Sequence, residues 1–378
     1  MNKYFLIIQI LLLSIFLSGC SMSEIEEYSI VAGIGIDYKD SKYQVTYEIY
    51  IENNGETTSL NSIIKTAEGL TISEAISNID NKIHQTPYLN HCLLIVLGEE
   101  IVKEKLDTTF NYFIHDVRIR SSCYVVSTVN ESAKTLLSKS QEIKQVVSYN
   151  LYKKLDQLPK QASIWNDSNF DFIMNEKLDE NGTIIIPIAI YKEDFSLTNC
   201  YIIKNDNSVY KINNEETFII QLFNDNVDEG LIKINDKFIY LKSSKTKILG
   251  NDNTFTLDVY IQVLSYDDLG IDLTDDFQRK EMIKLLEQEL SKQIYEVFIK
   301  YQTKEVDVFG IYKYLQKYNT NFYNKIKKEY YEYYQKIQLK TNITIDLLTS
   351  GLSEERIWYV CYCGNYIITN RNKRSIKR

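Results

Sequence analysis

An α+β fold built from mixed, predominantly antiparallel sheets is what this chain predicts, and three patterns carry the prediction. Strand pairs alternate apolar and polar residues near the start, capped amphipathic helices and short buried strands interleave up to about residue 200, and a strand-rich stretch then gives way to a long striped helix. Tyr28–Tyr38 and Lys42–Glu52 are the first pair, the second alternating Tyr43, Val45, Tyr47, Ile49 and Ile51 against Gln44, Thr46 and Glu48, with a turn at Lys39–Ser41. Thr71-Ile72-Ser73-Glu74 is a capping box opening a helix striped by Ile72, Ile76, Ile79 and Ile83. Leu93–Leu97 reads as a buried strand. A helix over Glu99–Ile114, a strand over Cys123–Val129 and helices near Glu131–Ser138 and Ile143–Leu155 complete this region.

Asp156–Asn181 has weak periodicity and reads as irregular, leading to a strand at Thr183–Tyr191. From Cys200 to Tyr266 the expectation is strands alone: Thr217–Phe223, Leu231–Asn235, Lys237–Ile248 and Thr254–Leu264. A helix over Phe277–Lys300 carries Ile283, Leu286, Leu290, Ile294, Val297 and Tyr301 on one stripe; a second, Asn321–Gln335, carries Phe322, Ile326, Tyr330, Tyr333 and Ile337, and Lys340–Leu348 resumes a strand. The expected units are 1–19 as a leader, 20–199 mixed α/β, 200–266 strand-rich, 267–352 helix and strand with strands shared with the middle unit, and a basic tail over 353–378.

The leader is the most specific signal. Lys3 precedes an apolar run from Tyr4 to Phe16 broken by Gln9 and Ser14, and Leu17-Ser18-Gly19-Cys20 closes it as a lipobox, in which the cysteine thiol receives a diacylglyceryl group before cleavage. A transmembrane helix would need roughly 20 apolar residues, and polar Ser21, Ser23, Glu24, Glu26 and Glu27 follow too soon. Two acyl chains, at about 0.8 kcal/mol per buried methylene, hold a protein stably on a membrane face.

Loss of Lys3 with the leader moves the formal charge from -8 to -9, so phosphate neutralisation gives no basis for nucleic-acid binding. The 30 tyrosines and 3 prolines accompany abundant Asn, Ile and Lys, the bias of an AT-rich coding sequence. Besides Cys20, five cysteines (Cys92, Cys123, Cys200, Cys361 and Cys363) form no disulfide framework; Cys92 and Cys123 stand at strand starts as possible neighbours, and free buried thiols are expected.

Catalytic motifs do not emerge. Gly33-Ile34-Gly35 lacks the third glycine and following helix of a dinucleotide site, so its glycines read as close packing. His84, His91 and His115 have no metal-site spacing, His91 reading as a ring bonded to backbone, and Cys361-Tyr362-Cys363 has no partner pair. Cofactors and metals are not expected.

Several short segments, in order and behind the lipobox, resemble the Ger(x)C lipoproteins, the C subunits of GerA-type nutrient germinant receptors. They are Glu24-Ile25-Glu26 before Val31-Ala32-Gly33-Ile34-Gly35-Ile36-Asp37; Ala67-Glu68-Gly69-Leu70-Thr71; His91 through Gly98-Glu99-Glu100; Tyr112 through Asp116-Val117-Arg118-Ile119-Arg120, with His115 where the family pattern has arginine; and Asp307-Val308-Phe309-Gly310. Beyond about Ser353 nothing matches. The resemblance implies three mixed α/β domains and a non-enzymatic subunit anchored at Cys20 on the outer face of the spore inner membrane, beside multi-spanning A and B subunits. No small-molecule ligand is implied. Gly33, Gly35, Asp37, Gly69, His91, Asp116, Arg118, Asp307 and Gly310 are its motif positions, read as structural before contact. The competing readings are a solute-binding lipoprotein, which should show two similar βαβ lobes, and a cell-wall hydrolase, which needs paired carboxylates in a groove.

Overall fold

The computed structural model describes residues 27–51, 61–205, 207–251, 253–265, 269–273 and 275–348. The leader, with Leu17, Ser18, Gly19 and Cys20, and the tail after 352 lie outside them, as do Cys361 and Cys363. Two sheets result, with antiparallel pairings the more numerous, as the α+β reading expects.

The first sheet opens with β1 (Tyr28–Lys39), β2 (Lys42–Ile51) and β3 (Asn61–Gly69), antiparallel neighbours. Asp40 and Ser41 turn the hairpin with φ of 50° and 61°, the left-handed pair whose twist suits a tight antiparallel connection. Helix α1 (Ile72–Asp80) follows, then β4 (Thr86–Tyr88), β5 (Leu94–Leu97), a π turn at Ile101–Lys105 running into α2 (Leu106–His115), and β6 (Tyr124–Ser127). The apolar runs of β5 and β6 suit the sheet centre, where they pair in parallel and both faces are covered. After α3 (Ala133–Ile143), α4 (Val147–Tyr152) and α5 (Phe170–Leu178) come β7 (Thr183–Tyr191), β8 (Phe195–Lys204) and β9 (Val209–Ile212). The order is β3-β2-β1-β5-β6-β7-β8-β9, with β4 on the start of β1. Helices α1, α2 and α5 cover one face; α3 and α4 cover the other.

The second sheet has the order β10-β11-β12-β13, from β10 (Gly230–Ile234), β11 (Lys237–Asn251), β12 (Thr254–Leu264) and β13 (Gln338–Leu348). Strand β13 lies parallel to β12 along its whole length, so the middle and C-terminal stretches share this sheet. Helix α7 (Asp276–Thr303) covers its inner face with Leu286, Leu290, Ile294, Phe298 and Tyr301 buried, each such aliphatic side chain contributing about 1.5–3 kcal/mol. One large core runs from Cys200 and Ile202 of β8 through α6 (Asn214–Phe223) to β12 and α7.

Four sequence expectations need correction. Thr217–Phe223 is helix, because the Asn213 side chain accepts the Glu216 N–H at 2.8 Å as an N-cap and burial on every side leaves no alternation to read. The stretch Asp156–Asn181 contains α5, capped by Asn169 on the Phe172 N–H at 2.7 Å. The single helix expected over 321–335 is α8 (Ile311–Tyr318), α9 (Thr320–Ile326), a 3₁₀ turn at Lys327–Glu329 and α10 (Tyr330–Tyr334), bent so that Tyr330 reaches a buried carboxylate. Finally, the boundary placed at 199/200 falls inside β8, which is paired on both sides within the first sheet. The two sheets differ in topology and are not the similar lobes of a solute-binding protein.

Candidate functional site

Gly33, Gly35 and Asp37 alternate along the face of β1 that meets α3 and α4. A Cβ at Gly33 would stand 1.9 Å from Ser148 Oγ, and one at Gly35 would stand 3.0 Å from Leu137 Cδ1 and 3.2 Å from Ala133 Cβ, so both helices lie directly on the strand backbone. Asp37 then accepts the N–H groups of Ala133 at 2.8 Å and Lys134 at 3.0 Å, capping α3 from a neighbouring strand. Gly98 must be glycine for the same reason, since its Cβ would come within 2.3 Å of Asp37 Oδ1.

Sequence reasoning missed the partner of this device. Glu48, opposite Gly33 on β2, is 0% exposed and accepts the Val147 and Ser148 N–H groups at 2.8 Å each, Ser148 Oγ at 2.6 Å and Ser62 Oγ at 2.9 Å. Two adjacent strands thus each supply a carboxylate to the N-terminus of one of two successive helices. The polar side of β2 faces helices rather than solvent. Burial pushes both carboxyls above their usual range, against the hydrogen bonds that favour the charged form.

Asp307 and Gly310 repeat the theme in the second lobe. Gly310, with φ of 65°, turns the chain into α8, and Asp307 accepts the Phe309 N–H at 3.1 Å, the Tyr312 N–H at 2.8 Å and the Tyr330 hydroxyl at 2.5 Å. Burial raises the Asp307 carboxyl. Tyr312 also donates its hydroxyl to Glu176 of α5 at 2.8 Å, and Lys313 forms an ion pair with the same carboxylate. Asn181 and Asp179 add bonds to Tyr323 and Gln316.

Asp116 and Arg118 line an open cleft between the start of α1 and the exposed side of α2, and Gly69 sits buried just before the Leu70 that opens its other side. A Cβ at Gly69 would lie 2.4 Å from the Ala75 nitrogen, so only glycine lets β3 enter α1 this tightly. Arg118 grips Asp116 through Nε at 2.9 Å, Nη2 at 2.8 Å and its backbone N–H at 3.1 Å; Tyr112 donates to the same carboxylate at 2.8 Å, and Arg118 Nη1 stands 3.7 Å from Asp80. His115 turns back on its own helix, Nδ1 at 2.7 Å from Asn111 O, and takes no part in this cluster. The cleft encloses about 900 Å³. Tyr38 and Tyr43, with ring centroids 4.9 Å apart, floor it, and Lys105 lies 4.7 Å above the Tyr38 ring. Leu70, Ile114 and Val117, at 68%, 47% and 93% exposure, stand at or beside its rim. The cleft thus combines an aromatic floor, an exposed apolar rim and the cations Lys105 and Arg118.

His91 lies elsewhere, exposed and packed against the Tyr88 ring at 5.2 Å instead of on a backbone group. Among the described residues no cluster of three His, Cys, Asp or Glu could hold a metal. The buried carboxylates Asp37, Glu48, Glu176 and Asp307 are engaged with helix termini, hydroxyls or Lys313.

The fold and its signature residues define a two-sheet α+β scaffold in which the motif positions fix helices and border one open cleft. Comparison places it. Residues 21–191 match the family described as spore germination protein N-terminal domain, and residues 198–351 the family described as spore germination B3/GerAC-like, C-terminal. The chain belongs to this Ger(x)C spore germination family. It is 21% identical to spore germination protein B3 of Bacillus subtilis (strain 168), over 89% of this chain and 95% of that one, and 26% identical to spore germination protein KC of the same organism over 41% of each. The crystal structure of the GerBC protein shares the fold, with a TM-score of 0.51 and 18% identity, covering 84% of this chain and 97% of that one.

Proposed function

We propose that this protein is the lipid-anchored, non-enzymatic C subunit of a nutrient germinant receptor. The observation that carries the reading is the match of both family regions along one chain, behind a lipobox cysteine. Cys20 bears the diacylglyceryl anchor and holds the two lobes at the outer face of the spore inner membrane. No helix among the described residues is long and apolar enough to cross a membrane, so in this reading the anchor supplies the attachment. The lobes stand beside multi-spanning A and B subunits, and the cleft rimmed by Leu70 and Val117 is the surface that touches them.

The test begins with spores lacking the gene. Dipicolinic acid release should fail for one class of nutrient while a trigger that bypasses receptors still works. Cys20→Ala should give a folded protein that leaves the membrane fraction and does not restore the response. Full restoration by that variant would refute the anchoring role.

A further inference from the structure

Cys92 follows the 3₁₀ turn Leu89–His91 ahead of β5, and Cys123 immediately precedes β6. Because β5 and β6 are parallel neighbours, starting in register at Leu94 and Tyr124, the two side chains meet under the helical layer of α1, α2 and α5. Their sulfurs are 3.6 Å apart, the Cys123 thiol donating to Cys92 Sγ and the Cys92 thiol to the Leu94 carbonyl at 3.4 Å. Exposure is 3% for Cys92 and 1% for Cys123. Cys200, the other described cysteine, lies in the second core beside Thr217 and is remote from the pair.

We propose that Cys92 and Cys123 are joined as a disulfide in the exported protein, formed by exchange with a small organic disulfide outside the membrane. The proposal rests on the export reading, since such bonds persist in oxidising compartments. One cysteine thiolate attacks the organic disulfide, expels one thiolate and leaves a mixed disulfide. The second cysteine displaces the other half, and the two cysteine protons pass to the two expelled thiolates. The protein pair loses two electrons, and the organic disulfide gains them as two thiols. Burial pushes the Cys123 thiol well up, so a folded pair exchanges slowly and the bond forms while the chain is folding.

The loop closed between Cys92 and Cys123 contains the π turn, all of α2 and the Asp116–Arg118 turn. It therefore carries one whole wall of the cleft, including Lys105, Tyr112 and His115. A covalent clip at its base would tie that wall to the centre of the sheet.

The test uses the full chain from a membrane fraction, denatured in N-ethylmaleimide and digested with trypsin without reductant. Cleavage at Lys82, Lys103, Arg120 and Lys134 isolates peptides 83–103 and 121–134. The expected result is one cross-linked species, lighter by two hydrogens than the sum of the two, with maleimide on Cys200. In Cys92→Ser, Cys123 should instead take up maleimide. Maleimide on both cysteines of the parent, or a bridge from either to another cysteine, overturns the proposal. If Cys20 carries diacylglycerol in that sample, the disulfide alone has failed; if Cys20 is unmodified, the export reading has failed with it.

Discussion

Gly33→Ala isolates the packing argument at a single atom. The added Cβ would sit 1.9 Å from Ser148 Oγ and 2.8 Å from Ser148 Cβ, with the Leu94 carbonyl oxygen 3.3 Å away on the neighbouring strand. Ser148 has to move, because β1 is held between β2 and β5. Overpacking of this kind costs about 1–3 kcal/mol. Moving Ser148 also pulls its hydroxyl and N–H from Glu48, and hydrogen bonds to a charged group contribute about 1.5–3 kcal/mol. The sum, about 2.5–6 kcal/mol, is a large part of the 5–15 kcal/mol typical of a folded domain. Urea unfolding of parent and variant measures it. Ser148→Gly removes the obstructing side chain, so the double variant should be more stable than additivity predicts by at least about 1 kcal/mol. A single variant within about 0.5 kcal/mol of the parent, or an additive double variant, would refute the reasoning. A stable variant with no germination response would make Gly33 a contact position instead.

Three further outcomes are expected. Tyr330→Phe removes a hydroxyl donor from the buried Asp307 carboxylate and should cost about 1.5–3 kcal/mol, whereas Tyr318→Phe, at 65% exposure, should cost almost nothing; equal effects in thermal unfolding would remove Asp307 as an anchor of α10. Burial pushes the Asp116 carboxyl up, but bonds from Arg118 and Tyr112 outweigh it and hold the group below the ordinary aspartate value. A depressed folded value gives stability that is present above the unfolded pKa and is lost as pH falls through the folded one, so Asp116→Asn should flatten the fall in stability below about pH 4; an unchanged acid limb would count against the cluster. Val117→Asp and Leu70→Asp, at strongly exposed positions, should change stability by no more than about 0.5 kcal/mol yet weaken the nutrient response and co-purification with membrane subunits, and full activity in both would remove the cleft from the proposed interface.

Legibility followed physical cause. The apolar–polar alternation in the β2 sequence and the one-sided stripe of α7 fixed those elements, although helices cover the polar side of β2 as well, and the Thr71 cap is present, Glu74 N–H to Thr71 Oγ1 at 3.1 Å, with the Glu74 carboxylate accepting the Leu70 N–H at 2.7 Å rather than that of Thr71. Helix α6 was misread because an element buried on all sides carries no period, and its apolar, partly β-branched run looks like a strand. The role of Glu48 was hidden for a related reason. A glutamate in a strand reads as solvent-facing, and only the close approach of α4, permitted by Gly33 on the next strand, makes it a cap. Gly33 and Gly35 stood out in the sequence as candidates for close packing, and Asp37 and Gly310 as motif positions of the resemblance. What Gly33 made room for did not, since Ser148 is far away in sequence, and at Gly310 it is the left-handed φ of 65° rather than a neighbour that requires glycine.

Apart from His91, the motif residues thus separate into those that fix helix termini or close packing and those at the cleft, and α5 packs near both groups. Its Phe170 packs edge-on against Phe110 and Phe113 of α2, with ring centroids 5.9 and 6.1 Å apart, behind the helix that walls the cleft. Two turns further along the same helix, Glu176 holds Tyr312 and Lys313 of the second lobe. A nine-residue helix anchored at one end by aromatic packing and at the other by a buried carboxylate has little freedom to bend between them. The Phe170 contacts and the Glu176 bonds therefore sit at the two ends of one short helix. The two sheets are thus joined through α5 by side chains that neighbour the motif positions rather than by the motif residues themselves, and Glu176 carries the joint with a buried carboxylate whose cationic partner is partly open to solvent.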